Sequence, residues 1–353
     1  MRNRRWLRVF ALLFGLTLLA AACGSDEGDT STTEGTSDDG GGAPGEGIRV
    51  GLVYDIGGRG DQSFNDAAYA GLTQAQDELG VEIQDLEPSA GGEDREELLR
   101  TLADDGYDMI VGVGFAFAEA MTAVSADFPE TTFAIVDDAS ITADNVTSLV
   151  FAEEQGSFLV GAAAGLETET DQLGFIGGVE VDLIKKFEAG FVAGAAEVNP
   201  EATVDVKYIS QAPDFSGFND PAKGKEIALG QYAAGADIIY HAAGGSGGGL
   251  FEAALESDAR AIGVDSDQYL TAEPAVQSVI MTSMIKRVDV AVFEAIKSFV
   301  EGDLEAGVRT FDLSNDGVGY STSGDFLSED TIAKLEELKQ MIIDGDITVP
   351  TAP

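Results

Sequence analysis

The residues best suited to chemistry in this chain gather in short polar loops, each following an apolar run. The first, Tyr54 to Asn65, reads YDIGGRGDQSFN. It follows a strand-like run, Ile48 to Val53, and precedes a helical pattern at Ala67, Leu72, Ala75 and Leu79. A strand-to-helix loop of this kind lies at the carboxyl end of a strand, where open α/β sheets bind ligands. Asp55, Asp61, Ser63 and Asn65 supply donors and acceptors, Phe64 supplies a ring, and Gly57, Gly58 and Gly60 let the backbone come close to a ligand. That set suits a small polar molecule with a flat face. For Asp61 and Ser63 a turn with a helix N-cap is the more favoured reading, and Phe64 reads equally well as a core residue.

Comparable loops recur. Asp137 and Asp138 follow Val136, and a loop with Asp214, Phe215, Phe218, Asn219 and Asp220 follows Ile209. AAGGSGGG follows His241, DSDQ follows Val264, and Ser283, Lys286 and Arg287 follow Thr282. The run Gly244 to Gly249 has neither the GxGxxG spacing nor the GxxxxGK[ST] form. Carboxylates at Asp55, Asp137 and Asp265 would also repel a phosphate, so close backbone contact with an uncharged ligand fits better. Asp265 and Asp267 read otherwise as turn residues, and Lys286 as a solvated helix start.

The elements that must position these loops alternate strand and helix. Strands are expected at Arg49–Tyr54, Val81–Leu86, Met109–Val113, Thr132–Val136 and Thr147–Phe151, with helices near Ala67–Leu79, Glu93–Asp104 and Ala116–Phe128. The rhythm restarts with helix Ser157–Leu166 and continues through strands Leu173–Ile176, Val204–Ile209, Ile238–Tyr240 and Ala261–Val264, with helices Asp182–Val198 and Ala222–Ala233 and one after Gly249. This predicts an α/β chain with two doubly wound, mainly parallel sheets covered on both faces. Later elements at Ser278–Thr282, Arg287–Val300, Val308–Phe311, Gly317–Tyr320 and Asp330–Ile343 are expected to return to both lobes. The expected first lobe is 48–151 plus about 277–303, and the second is 152–276 plus about 304–353.

Ahead of these lobes, Met1 to Ala22 carries Arg2, Arg4, Arg5 and Arg8, an apolar run from Val9 to Leu19, and three alanines. This is the three-region pattern of a signal peptide, and the run is too short to span a membrane as a helix. Cys23, the single cysteine, follows at once, which resembles the lipobox of bacterial lipoproteins; Leu19 stands four residues before it where the usual pattern has three. The reading is a lipid anchor on Cys23. Residues 23–47, acidic and rich in Gly, Ser and Thr, form an expected flexible linker with a reach of roughly 25 to 30 Å.

A net charge of −43 spread along 353 residues disfavours nucleic acid and anionic headgroups. His241, the single histidine, is the one residue on which a Ser-His-Asp triad could be built. No cofactor or metal is indicated.

SFND, FAIVDD, EQGSFLVGAAAG, GFIGG with KFEAGFVAGAAEVNP, NDPAKGKEIA, HAAGGSGGGLFEAA, GVDSDQ and TSMIKRVDVAV occur in the order found in the basic membrane protein family, which the chain resembles over nearly all of Ile48 to Gly319. The resemblance implies a two-lobed fold of the periplasmic-binding-protein type I class. It also implies a non-enzymatic, lipid-anchored, extracytoplasmic substrate-binding protein that serves the permease and ATPase subunits of an ABC importer, similar to purine nucleoside receptors. The ligand contacts it implies fall on Asp55, Phe64, Asn65, Asp137, Phe218, Gly244 or Gly245, Asp265 and Lys286. In QAPDFSGFNDP, Phe215 competes with Phe218 as the second ring. A purine would be sandwiched between rings from opposite lobes, and ribose hydroxyls would donate to carboxylates. Two other readings are a secreted nucleoside hydrolase with Ca²⁺-binding carboxylates, and a sensor ectodomain that signals through another chain.

Overall fold

A computed structural model describes residues 42–353. The signal peptide, Cys23 and most of the linker lie outside the described residues. In chain order the elements are β1 (Arg49–Val53), α1 (Phe64–Leu79), β2 (Glu82–Leu86), α2 (Arg95–Asp104), β3 (Met109–Gly112), α3 (Ala118–Asp127), β4 (Thr132–Val136) and β5 (Val146–Phe151). They continue as α4 (Glu153–Glu167), β6 (Gln172–Glu180), α5 (Asp182–Val198), β7 (Thr203–Gln211), α6 (Pro221–Ala233), β8 (Ile238–Ala242), α7 (Gly247–Ser257), β9 (Arg260–Asp265) and α8 (Gln268–Thr271). The chain ends with β10 (Ile280–Lys286), α9 (Val288–Glu301), β11 (Gly307–Phe311), β12 (Val318–Tyr320) and α10 (Glu329–Ile343).

Two six-stranded sheets form, one in the order β11-β5-β4-β3-β1-β2 and the other β12-β10-β9-β8-β6-β7. All neighbours are parallel except the edge pair of β10 and β12. The chain is thus α/β with two doubly wound sheets, and it passes between them after β5, after β10 and after β11. Two boundary expectations are corrected. β10, expected with 277–303 in the first lobe, pairs with β9 in the second sheet, and β11, expected in the second lobe, pairs with β5 in the first. β10 (IMTSMIK) is a buried strand and β11 (GVRTF) a more polar, partly exposed edge strand, and neither pattern tells which sheet receives it; only tertiary pairing does.

Buried aliphatic and aromatic side chains fill the layers between sheets and helices, among them Leu52, Leu72, Met109, Phe133, Phe175 and Tyr240. Two of the helices start on a side-chain cap. Asp220 accepts from the Lys223 N–H ahead of Pro221 at the first turn of α6, and Ser328 accepts from the Thr331 N–H at the start of α10. Helix α4 is buried along nearly its whole length against α5, close enough that a Cβ at Gly194 would overlap the Phe158 carbonyl. The expected linker ends earlier than residue 47. The Gly45 N–H donates to the Leu79 carbonyl at 2.7 Å, so residues just before β1 dock on the C-terminal end of α1 and satisfy one of its free carbonyls.

Candidate functional site

Strand register sets up the site. Val53 lies level with Gly112, and Gly112 with Ile135. Asp55, Gly114 and Asp137 each follow two residues later, so they stand side by side at the carboxyl edge of the first sheet. In the second sheet Tyr240, Ile262 and Thr282 are level, and Ile285 pairs with Asp265, which aligns Gly244, Asp265 and Lys286 at the facing edge. The edges meet across a cleft whose empty space, its open mouth included, is about 570 Å³.

Asp55, Phe64, Asp137, Phe218, Gly244, Asp265 and Lys286 all line this cleft. Asn65 and Gly245 do not. Asn65 is buried behind the wall, where its Oδ1 accepts from the Asp55 N–H at 3.0 Å and thereby holds that loop. Gly245 lies where a Cβ would press on Asn219 and come into ordinary contact with Asp61 of the first lobe. Of the two competing rings, Phe218 faces the cleft, whereas Phe215 packs edge-on against Phe115 of the first lobe at 5.7 Å.

Asp137 and Asp265 both adopt left-handed backbone, with φ of 69° and 63°. Aspartate tolerates this region better than most residues, and such strain concentrates at binding sites. Lys286 Nζ lies 2.6 Å from Asp137 Oδ2 and 3.4 Å from Glu153 Oε1, with the rings of Phe64, Phe151 and Phe187 at 5.1, 4.9 and 5.5 Å. Burial alone would lower the Lys286 pKa, but Asp137, Glu153 and Asp265 outweigh it and the ammonium is held well above its ordinary value. Burial raises Asp137 and Asp265, and Lys286 opposes both shifts. Glu153 is fully buried and shares a second cation, Lys186, at 3.1 Å.

Asp61 both caps and lines. Its carboxylate accepts from the N–H groups of Ser63, Asn65 and Asp66 at the start of α1, and burial raises it to about 6 against those bonds. The lobes also touch directly. Ser63 Oγ donates to Asp265 Oδ2 at 2.6 Å, while Gln268 Nε2 and Thr271 Oγ1 each donate to the Gln62 carbonyl at 3.2 Å. This is a closed cleft.

His241 is not part of the site. Its ring is fully buried, its Nε2 pairs with Gln268 Oε1 at 3.0 Å, and burial lowers its pKa to about 4, so it stays neutral. Its bonded side-chain partner is an amide, so no triad forms on it. Among the described residues no three His, Cys, Asp or Glu side chains converge as a metal cage.

Sequence reasoning did not single out Phe187, Glu153 or Arg95. Phe187 stands inside the KFEAGF block and could have been read there. Glu153 and Arg95 sit behind the wall and carry no local signal.

The model of the family described as ABC transporter substrate-binding protein PnrA-like matches residues 48–352. The chain belongs to this family. It is 39% identical over 370 residues, covering both chains in full, to the CD4+ T-cell-stimulating antigen of Listeria innocua. It is 32% identical over 99% of each chain to the ABC transporter nucleoside-binding protein BmpA of Lactococcus lactis. A solved ABC transporter solute-binding protein from Aeropyrum pernix superposes with a TM-score of 0.76 at 30% identity, over 86% of this chain and 93% of that one. The fold is therefore that of the two-lobed solute-binding proteins, and the chain is a substrate-binding protein of the ABC transporter class, not an enzyme. The hydrolase reading falls with that assignment.

Proposed function

We propose that the protein closes its two lobes on a purine nucleoside and delivers it to the permease and ATPase of an ABC importer, while a lipid on Cys23 holds it outside the membrane. The observation that carries the ligand class is the composition of the cleft wall. Rings from both lobes, Phe64 and Phe218, face it beside the carboxylates Asp55, Asp137 and Asp265. Among the described residues Lys286 is the only Lys or Arg on that wall, and Asp137 and Glu153 already neutralise it. An anionic ligand would meet net negative charge, whereas a neutral ligand with a flat base and hydroxyl donors meets stacking surfaces and acceptors. Stacking contributes about 1 to 3 kcal/mol per base, and a hydrogen bond to a charged group about 1.5 to 3. Closure is then a population shift driven by contacts from both lobes.

The deciding experiment is thermal unfolding with a ligand panel. Inosine, guanosine or adenosine at a hundredfold excess over Kd stabilises the folded state by about 2.7 kcal/mol, and inosine monophosphate and inorganic phosphate do so far less. Stronger stabilisation by the monophosphate would replace this reading with a phosphate cradle at Gly244 to Gly249. The anchor has its own test. Cells fed a radiolabelled fatty acid are expected to label the wild type and not Cys23→Ser; equal labelling of the two would refute lipidation at that residue.

A further inference from the structure

Asp55 is the cleft carboxylate whose cation stands outside the cleft. Its Oδ1 accepts from its neighbour Ile56 N–H at 2.8 Å and from Arg95 Nη2 at 3.0 Å. Arg95 comes from the first turn of α2, is buried, and does not line the cleft. It is fixed by a bond from Nη1 to the Gly92 carbonyl at 3.0 Å and by the Phe117 ring at 5.5 Å from its guanidinium carbon. Among the described residues Asp55 Oδ2 accepts no hydrogen bond, and it lies beside Gly114, a cleft-lining residue where a Cβ would press on it.

We propose that Arg95 is a positioning residue for ligand recognition: from behind the wall its ion pair orients Asp55 and favours the carboxylate, so that Oδ2 accepts a hydrogen bond from an N–H or O–H of the ligand. A guanidinium remains charged at every working pH and cannot share its role with a ligand it never touches. Lys286 is committed to Asp137 and Glu153, so the wall itself offers Asp55 no free cation. Burial raises the Asp55 pKa and Arg95 opposes that rise. The other ionisable groups facing the same cleft are Asp61, Asp137, Asp265 and Lys286. Removing the guanidinium therefore leaves Asp55 protonated further up the pH scale, where it presents a donor in place of an acceptor.

The inference rests on the nucleoside reading for its ligand but not for its test on Asp55 itself. In the ligand-free protein, the Asp55 carboxyl carbon, labelled with ¹³C and assigned through Asp55→Asn, is expected to titrate at higher pH in Arg95→Met than in wild type, with Arg95→Lys between them. In calorimetric titrations with inosine, Arg95→Met is expected to bind about tenfold more weakly at pH 7 and to recover as pH rises, a trend absent from wild type. In an Asp55→Asn background the same substitution is expected to change Kd less than twofold. An unshifted Asp55 titration overturns the proposal whatever the ligand is. A pH-independent loss, or one that persists undiminished in Asp55→Asn, overturns it as well by making Arg95 a packing residue. If wild type binds no nucleoside while the Asp55 titration shifts as expected, the ligand reading fails and the Arg95–Asp55 coupling stands. Should Arg95→Met not fold, Arg95→Lys and Arg95→Gln carry the same comparison.

Discussion

Replacing Lys286 with methionine is expected to weaken inosine binding by about a hundredfold or more while both lobes stay folded. Closed, the cleft holds Asp137, Glu153 and Asp265 around this one ammonium, which is 2% exposed. Removing one partner of a buried pair costs about 3 to 5 kcal/mol, because the charge left behind has neither water nor counterion. The cost falls on closure more than on folding. Asp137 belongs to the first sheet and Lys286 to the second, so opening the lobes separates them and lets water reach both. Glu153 also keeps Lys186. The penalty then appears in Kd, since the ligand can bind fully only to the closed form. A second substitution, Asp137→Asn, removes one of the stranded carboxylates and is expected to restore part of the affinity. Calorimetry with inosine reads the affinities, small-angle scattering reads closure, and denaturant curves guard against unfolding. Binding by Lys286→Met within threefold of wild type would mean that the cluster does not govern closure.

The sequence made the elements and their strand ends legible, and it did so for a physical reason. Strands buried on both faces of a parallel sheet must be short apolar runs, and the polar residue that ends each run is the residue the fold carries to the sheet's carboxyl edge. Thr132–Val136 and Asp182–Val198 coincide with observed elements for that reason. Sheet membership was another matter. β10, buried inside its sheet, and β11, a more polar edge strand, flank α9 and join opposite sheets, and nothing in a strand's own residues names the sheet it pairs with once the chain crosses between lobes. α8 was missed, being a single turn.

Within the site, side chains that face the cleft lie in loops with readable chemistry, whereas those that steady them do not. Arg95 and Glu153 each sit in the first turn of an ordinary amphipathic or buried helix, and only tertiary packing aims them at Asp55 and Lys286. In the sequence Asp61 reads as either cap or ligand-facing residue. Its two carboxylate oxygens cap α1 from a place on the cleft wall, so the alternatives were never exclusive.

Asp265→Asn is the second large effect expected. Asp265 ends β9 with φ of 63°, is 7% exposed, and gives Oδ2 to the Ser63 hydroxyl across the cleft. Asparagine accepts left-handed backbone as readily as aspartate, so the turn and the fold should survive. What changes is the recognition face. A carboxylate can take the Ser63 hydroxyl on one oxygen and a ligand hydroxyl on the other, but an amide has one acceptor oxygen for both. Either the lobe-to-lobe bond or the ligand bond must then meet an NH₂ group. Charged hydrogen bonds of about 1.5 to 3 kcal/mol predict a loss of roughly tenfold to more than a hundredfold in Kd. Ser63→Ala separates the two contributions, since it removes only the bond between lobes and leaves both carboxylate oxygens to the ligand; its loss should stay at the low end of that range, about 1.5 kcal/mol or roughly tenfold. Calorimetric titration of both single variants and the double variant with inosine, with unfolding curves alongside, measures the coupling directly. If folded Asp265→Asn binds as tightly as wild type, its carboxylate does not touch the ligand, and the cleft's recognition must rest on Asp55 and Asp137.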